Sequence, residues 1–176
     1  MAVGRKLGLE FSQIADALAG FSGTKRRFEH RGEVNGITFI DDYAHHPSEI
    51  EVTLRSARLR VNGNNSLKRV VAIFQPHRYS RAKTFLQEFA TAFKDADVVI
   101  ATDIYSAGEP EIAGVSGENL AREISKHHPQ VQYHQAVDSM DTFLKESILK
   151  PGDLAIFLGA GNLNQSIPKT IALYED

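Results

Sequence analysis

The segment ITFIDDYAHHPSEI, residues 37–50, passes from an apolar run into two carboxylates, a phenol and two imidazoles, and then into a helix start. Ile37, Phe39 and Ile40, with Thr38, have the β-branched and aromatic character of a buried strand. Asp41 is expected to end the apolar run. Pro47 has no amide proton to leave unpaired and suits a first helical turn, where Ser48, Glu49 and Glu51 add polar groups. A short loop then carries the polar side chains past the carboxyl end of a strand, the place where open α/β sheets bind ligands.

Working outward, residues 24–36 (TKRRFEHRGEVNG) alternate loosely and end on Asn35-Gly36, a turn signal that predicts pairing with the strand that follows. Lys25, Arg26, Arg27 and Arg31 crowd this segment, either as a solvated charge cluster or as an anion contact. Phe11, Ile14, Leu18 and Phe21 share one face of a short helix closed by Gly20 and Gly23, whereas residues 1–8 (MAVGRKLG) carry no N-cap and read as the interior of something longer. Downstream, Ile50, Leu54, Ala57 and Val61 mark a helix that stops in the turn at residues 62–65. Residues 70–74 (VVAIF) read as a buried strand that delivers QPHRYSR into a helix faced by Phe85, Phe89, Ala92 and Ala96.

Residues 98–101 repeat the strand pattern, and the Gly- and Pro-rich segment 102–117 is too long for a plain connector, which suggests a lid or binding loop. Leu120, Ala121 and Ile124 outline a helix, residues 131–133 a strand, and Met140, Phe143, Leu144 and Ile148 another helix. Residues 154–158 form a further apolar run that ends in Gly159-Ala160-Gly161-Asn162, before a helix carrying Ile167, Ile171 and Tyr174. Strands alternating with helices predict a largely parallel, doubly wound α/β sheet.

The 176 residues suffice for one domain with a proper core; 42% are hydrophobic and 24% charged, as in soluble globular proteins. No run approaches the ~18 apolar residues of a membrane span, and a net charge of −2 offers no basic field to a nucleic-acid backbone. Neither a membrane nor nucleic acid is an expected partner. The absence of cysteine excludes disulfides and thiolate metal sites, and with no signal-like apolar core at the amino terminus a cytoplasmic location is expected.

On this reading three strands release unusual residues at one sheet edge. Arg78 and Arg81, at the start of a helix, match a carboxylate or phosphate by bidentate donation, with surface ion pairing as the alternative. Asp42 and His45 are near enough to share a site as a metal ligand set, a general base or a nucleotide contact. His45 and His46 are adjacent and should point apart, with no third ligand at regular spacing, so no metal site is assigned. Gly159-Ala160-Gly161 resembles the start of a dinucleotide fingerprint but lacks the third glycine and follows the last strand, which favours a tight turn. No GxxxxGK[ST] phosphate loop occurs in the sequence.

In that order, DDYAHHPSEI (41–50), FQPHRYSR (74–81) and FLGAGN (157–162) resemble the carboxyl-terminal domain of the Mur ligase family, in its alanine-adding branch. The resemblance covers residues 24–176, and residues 1–23 resemble the last helix of that family's central ATPase domain. The His77-Arg78 pair sets this branch apart from a relative that attaches a recycled tripeptide. The resemblance implies a Rossmann-like, mostly parallel sheet within a three-domain cytoplasmic enzyme of peptidoglycan synthesis. That enzyme uses ATP and Mg2+ to join L-alanine to UDP-N-acetylmuramate through an acyl phosphate. It further implies that Arg27 meets the ATP phosphates and Asp42 the ribose hydroxyls. His45 is implied as the catalytic residue beside the amino acid, with Tyr43, His77, Arg78 and Arg81 shaping the substrate side. The phosphate loop, the Mg2+ ligands and the sugar site belong to the other two domains, so the chain alone is expected to be inactive. Two other readings stand beside this one. A metal-dependent phosphoesterase of DHH type would need further aspartates such as Asp103, and a noncatalytic module would present Arg78 and Arg81 to an anion.

Overall fold

The computed structural model describes residues 2–20 and 23–175. Its strands are β1 (Glu29–Val34), β2 (Ile37–Asp42), β3 (Arg69–Phe74), β4 (Val98–Ala101), β5 (Val131–Tyr133) and β6 (Asp153–Leu158). They form one sheet in the order β1-β2-β6-β3-β4-β5, antiparallel only between β1 and β2. The doubly wound α/β expectation is met. Asn35 (φ 50°) and Gly36 (φ 69°) close the β1–β2 hairpin, since two consecutive positive φ angles match the right-handed twist of the strands.

Two elements precede the sheet, α1 (Ala2–Lys6) and α2 (Phe11–Ala19), the second of which is the helix that the apolar stripe predicted, capped at Gly20. Of that stripe Ile14 is buried, Phe11 and Leu18 are exposed, and Phe21 lies outside the described residues. The sheet is wrapped by α3 (Pro47–Asn62), α4 (Tyr79–Thr84), α5 (Leu86–Thr91), α6 (Gly117–Ser125), α7 (Met140–Phe143) and α8 (Ser166–Leu173). The helix expected after β3 breaks at Phe85, which leaves helical torsions (φ −110°, ψ 28°) and sets its ring edge-on against His46 at 4.6 Å. The helix expected around Met140 is a composite: a 3₁₀ turn, α7, and a wide π turn over Leu144–Ile148.

Both sheet faces are covered. Ile50, Leu54 and Ala57 of α3 join Phe89 of α5 and Ile124 of α6 on one face; Met140, Leu144 and Ile167 pack on the other. Chains leaving β2 and β3 therefore turn to the first face, and the chain leaving β6, which lies between them, turns to the second. That divergence opens a crevice at the carboxyl ends of the three strands, the usual ligand position in such sheets.

The opposite edge is fastened by charge. Arg69 at the start of β3 grips Asp153 at the start of β6 in a bidentate pair of 2.8 and 2.7 Å, and Asp153 also accepts the Lys150 amide at 2.9 Å. Asp153 is 1% exposed, and Asp153→Ala leaves Arg69 with only the weaker influence of Asp97. The expected loss is about 2–4 kcal/mol, below the ~3–5 kcal/mol of a fully buried pair because the guanidinium touches solvent. Urea unfolding of the purified chain measures it, and a loss under about 1 kcal/mol would show that the pair is dispensable.

Candidate functional site at the carboxyl edge of the sheet

The crevice between β3 and β6 is filled by Gln75. Its Oε1 accepts the Leu163 amide at 3.1 Å and its Nε2 donates to Asn162 Oδ1 at 2.9 Å. Gly159 (φ 146°) lets the chain leaving β6 pass so near that a Cβ there would lie 2.7 Å from the Gln75 carbonyl oxygen. These glycines thus serve a tight turn, as expected, and ligand-facing groups are displaced toward α3 and α4.

Asp41 does not end its strand. β2 runs through Asp42 with both carboxylates buried, because each finds compensation on its own side of the alternating strand. Burial pushes the Asp41 carboxyl above the ordinary carboxylate range, and Arg26 (3.4 Å) and Arg31 (3.3 Å) pull against that rise. Arg26 also donates to the Gly159 carbonyl at 2.6 Å, so it ties the segment before β1 to the chain leaving β6. Of the four basic residues, Arg26 and Arg31 are structural. Asp42 accepts the Phe28 amide on Oδ2 (2.7 Å) and the Ala44 amide on Oδ1 (2.8 Å). A carboxylate has about four acceptor positions, so roughly two stay free.

Arg27 and Asp42 line one cavity of about 580 Å³, together with Phe28, Ser48, Glu49, Val52, Thr53 and Ser56. A volume near 600 Å³ lies within the ~300–1,000 Å³ typical of small-molecule sites, and a cation beside spare carboxylate acceptors fits a nucleotide's phosphates and ribose. The floor is fixed by α3. His46 caps it by accepting from Ser48, and Glu49 accepts the amides of His45 (3.0 Å) and His46 (3.2 Å). Burial opposes the Glu49 charge, but the His45 amide, the His45 charge and the His46 amide outweigh it and hold the carboxyl below its ordinary value.

A row of rings runs from this cavity along the sheet edge. Arg26 lies over Tyr43 (4.9 Å), and Arg27 lies 5.8 Å from the same ring. Tyr43 meets His45 edge-on (5.3 Å), His45 faces His77 (5.8 Å), and His77 stacks on Tyr105 (5.6 Å, 13°). His46 turns away to Phe85. The two facing imidazoles carry opposite tautomers. His45 Nδ1 lies 2.9 Å from the Tyr43 carbonyl, which can only accept, so Nδ1 holds the proton and Nε2 is an acceptor. His77 Nδ1 lies 3.2 Å from Arg81 Nη1, which can only donate, so Nδ1 is bare and Nε2 holds the proton. Burial, then Arg81, His45 and Arg78, push the His77 pKa below its ordinary value of 6.5.

Arg78 and Arg81 do not form a joint fork. Arg81 donates to His77 Nδ1 and to the His77 carbonyl (3.2 Å), whereas Arg78, half exposed, points to Glu109 at 3.5 Å. Tyr105 and Glu109 are site residues that the pattern of the sequence did not single out. They sit in the segment suggested as a lid or binding loop, and no periodicity reports that it lies against residues 77–80. Asp103, which the phosphoesterase reading needed, is engaged by the Tyr133 hydroxyl at 2.5 Å. Among the described residues no three His, Asp or Glu side chains gather as a cation site, and no helix is long and apolar enough to cross a membrane.

Comparison with known proteins bears on the same edge. The family described as "Mur ligase, glutamate ligase domain" matches residues 26–161. The chain is 60% identical to UDP-N-acetylmuramate–L-alanine ligase of Microcystis aeruginosa over 100% of its own length and 36% of that protein's. It is 63% identical to the ligase of the same name from Gloeothece citriformis, covering 98% of this chain and 34% of the relative. Among solved structures, UDP-N-acetylmuramate-alanine ligase of Thermotoga maritima superposes with a TM-score of 0.79 at 26% identity, over 99% of this chain and 35% of that one. The chain thus spans about a third of the length of these relatives. This overturns the phosphoesterase alternative: the match takes in every element of the ring row and the cavity, and the chain belongs to the Mur ligase family, as its glutamate ligase domain.

Proposed function

We propose that this domain serves the ATP-dependent joining of L-alanine to UDP-N-acetylmuramate in cytoplasmic peptidoglycan synthesis. It would supply the amino-acid side of the active site and part of the nucleotide side. Residues 24–176 are the domain proper, and residues 1–23 belong to the end of a preceding ATPase domain. Val3, Leu7, Phe11 and Leu18 are exposed, as suits helices whose partner surface lies in that domain. The observation that carries the reading is the pair of facing imidazoles with opposite tautomers beside Arg81. An amino acid brings both an ammonium and a carboxylate, and this arrangement offers an acceptor for one and donors for the other.

Bound ATP would supply the phosphoryl group that activates the muramate carboxylate. His45 Nε2 takes one proton from the alanine ammonium, the freed lone pair on nitrogen forms the bond to the acyl carbon, and the second surplus proton on nitrogen leaves with the departing phosphate to give the amide. The Tyr43 carbonyl, 2.9 Å from Nδ1, and Glu49, 3.6 Å away, orient the imidazole so that Nε2 is the free acceptor. His77 Nε2–H, Arg81 and Arg78 meet oxyanion charge on the alanine carboxylate or the acyl phosphate. Tyr43 walls the cleft between the two sides. Arg27 meets nucleotide phosphates and Asp42 the ribose hydroxyls, within the cavity they share. Among the described residues no cluster suits Mg2+, and its ligands are assigned to the domains that complete the enzyme.

In a full-length ligase carrying this domain, Arg78→Ala should cost about 2–5 kcal/mol in kcat/KM for alanine, and Arg78→Lys should also be damaging because a point charge cannot replace the fork. Asp42→Asn should instead raise the KM for ATP. Steady-state kinetics with each substrate varied in turn decides it: a change under about threefold for Arg78→Ala, or identical defects in both variants, would sink the division of roles.

Burial, and then the second donor that a protonated His77 would set against Arg81, make the folded state bind this proton less readily than the unfolded chain. The resulting stability is fully present above the unfolded imidazole value near 6.5 and is lost as pH falls through the lower folded value. Nuclear magnetic resonance titration should place the His77 midpoint below 6.5, and the fall in melting temperature toward pH 5 should shrink in His77→Gln. A midpoint above 6.5 contradicts the tautomer assignment.

The chain alone should fold cooperatively yet release no phosphate from ATP with Mg2+, alanine and UDP-N-acetylmuramate, because phosphoryl transfer rests on positioning and charge neutralisation that it lacks a phosphate loop to provide. Turnover above a buffer blank, abolished by Asp42→Ala, would reverse this.

A further inference from the structure

The segment between β4 and α6 is built against the amino-acid side of the site. Tyr105 donates its amide to the Pro76 carbonyl at 2.8 Å, and its own carbonyl accepts the Arg78 amide at 2.8 Å. Beyond it, Ala107 (φ 51°) and Gly108 (φ 84°) turn the chain sharply, and the Glu109 amide closes the turn on the Ser106 carbonyl at 3.0 Å. The turn delivers Glu109 onto the residues after Arg78. Its Oε2 accepts the Ser80 amide (3.0 Å), and its Oε1 accepts the Ser80 hydroxyl (2.8 Å) and lies 3.5 Å from Arg78 Nη1.

Arg78 itself is held at φ 74° and ψ 133°, torsions an L-residue with a long side chain rarely adopts. Such a conformation persists only where its surroundings over-determine it. Here they are the Tyr105 carbonyl on the backbone and Glu109 on the side chain. Both Glu109 oxygens are committed to Ser80, so the carboxylate aims the guanidinium through one longer contact without saturating it. A guanidinium has five N–H donors, and most stay available to an incoming oxyanion.

We propose that Glu109 is a positioning residue for the amino-acid site: anchored on Ser80, it directs the Arg78 guanidinium across the cleft toward the carboxylate of the incoming amino acid. This rests on the reading of Arg78 as a substrate contact. The Ser80 amide, with its hydroxyl, holds the Glu109 carboxyl below its ordinary value, so the charge is present throughout the neutral range.

The test uses a full-length ligase carrying this domain, with E109Q, R78A and the double variant assayed against alanine, ATP and UDP-N-acetylmuramate. E109Q should raise the KM for alanine about tenfold while leaving that for ATP within about twofold, and the double variant should be no worse than R78A, because coupled residues are not additive. Ser80→Ala, which loosens the anchor and keeps the charge, should shift the same parameter less. An alanine KM unchanged or lowered in E109Q, with R78A defective, overturns the role of Glu109 and leaves that of Arg78 standing. An alanine KM unchanged in R78A overturns the reading beneath it. Equal rises for all three substrates, or additive effects in the double variant, show a general structural role and overturn the inference.

Discussion

The side-chain amide of Gln75 is the constraint on which the site depends. It lies at the end of β3, 3% exposed, with its oxygen on the Leu163 amide and its nitrogen on Asn162. Leaving a buried polar group of this kind unpaired costs roughly 1–3 kcal/mol, so the chain leaving β6 is bound to come to it. Gly161 makes that approach possible, since a Cβ there would collide with Gln75 Oε1 and lie 2.8 Å from the Tyr105 ring. With the crevice between β3 and β6 filled, the open space is on the α3 and α4 side, and Tyr105 is wedged where it can support His77.

The charges are arranged by the same economy of faces. Asp41 and Asp42 are neighbours on one strand and point to opposite sides, so adjacent carboxylates lead separate lives. Asp41 consumes Arg26 and Arg31 to hold β1 and the segment before it against β2, whereas Asp42 is satisfied by backbone amides and leaves Arg27 beside it without a salt bridge among the described residues. A cation that forms no salt bridge among the described residues, next to a carboxylate with acceptors to spare, is what a polar ligand can use.

Much of this could be read from residues alone. Apolar runs at 70–74, 98–101 and 154–158 are strands because such runs can be buried on both faces, and Asn35-Gly36 is a hairpin turn because few other pairs tolerate its torsions. Pro47 announced α3 correctly. Strand order was not legible, since periodicity reports burial and says nothing of which strand lies beside which. The continuation of β2 through two aspartates was hidden for a related reason: the compensating groups, Arg26, Arg31 and the Phe28 amide, come from another segment. For the site, Tyr43, His45 and His77 were marked by their chemistry at strand ends and do lie in one row, whereas the split between Arg78 and Arg81 was hidden because Arg78 pairs with Glu109 in a distant loop while Arg81 turns back to His77. Tyr105 and Glu109 lie in a loop, where sequence has no period to read.

The position of β6 has a further consequence, for how the domain assembles. It is last of the strands in the chain and pairs in parallel with both β2 and β3 at the middle of the sheet. Until it arrives, two long apolar strands present open edges to each other, and the loops bearing the motifs have nothing to hold them at the right separation. Parallel pairings between such distant segments form slowly, because loop closure must precede any gain in contacts. On the ribosome the early strands would wait exposed, a state prone to wrong pairing and suited to protection by chaperones. The rate at which the binding cleft matures is thereby governed by the last strand made, although hardly any of the ligand-facing side chains belong to it.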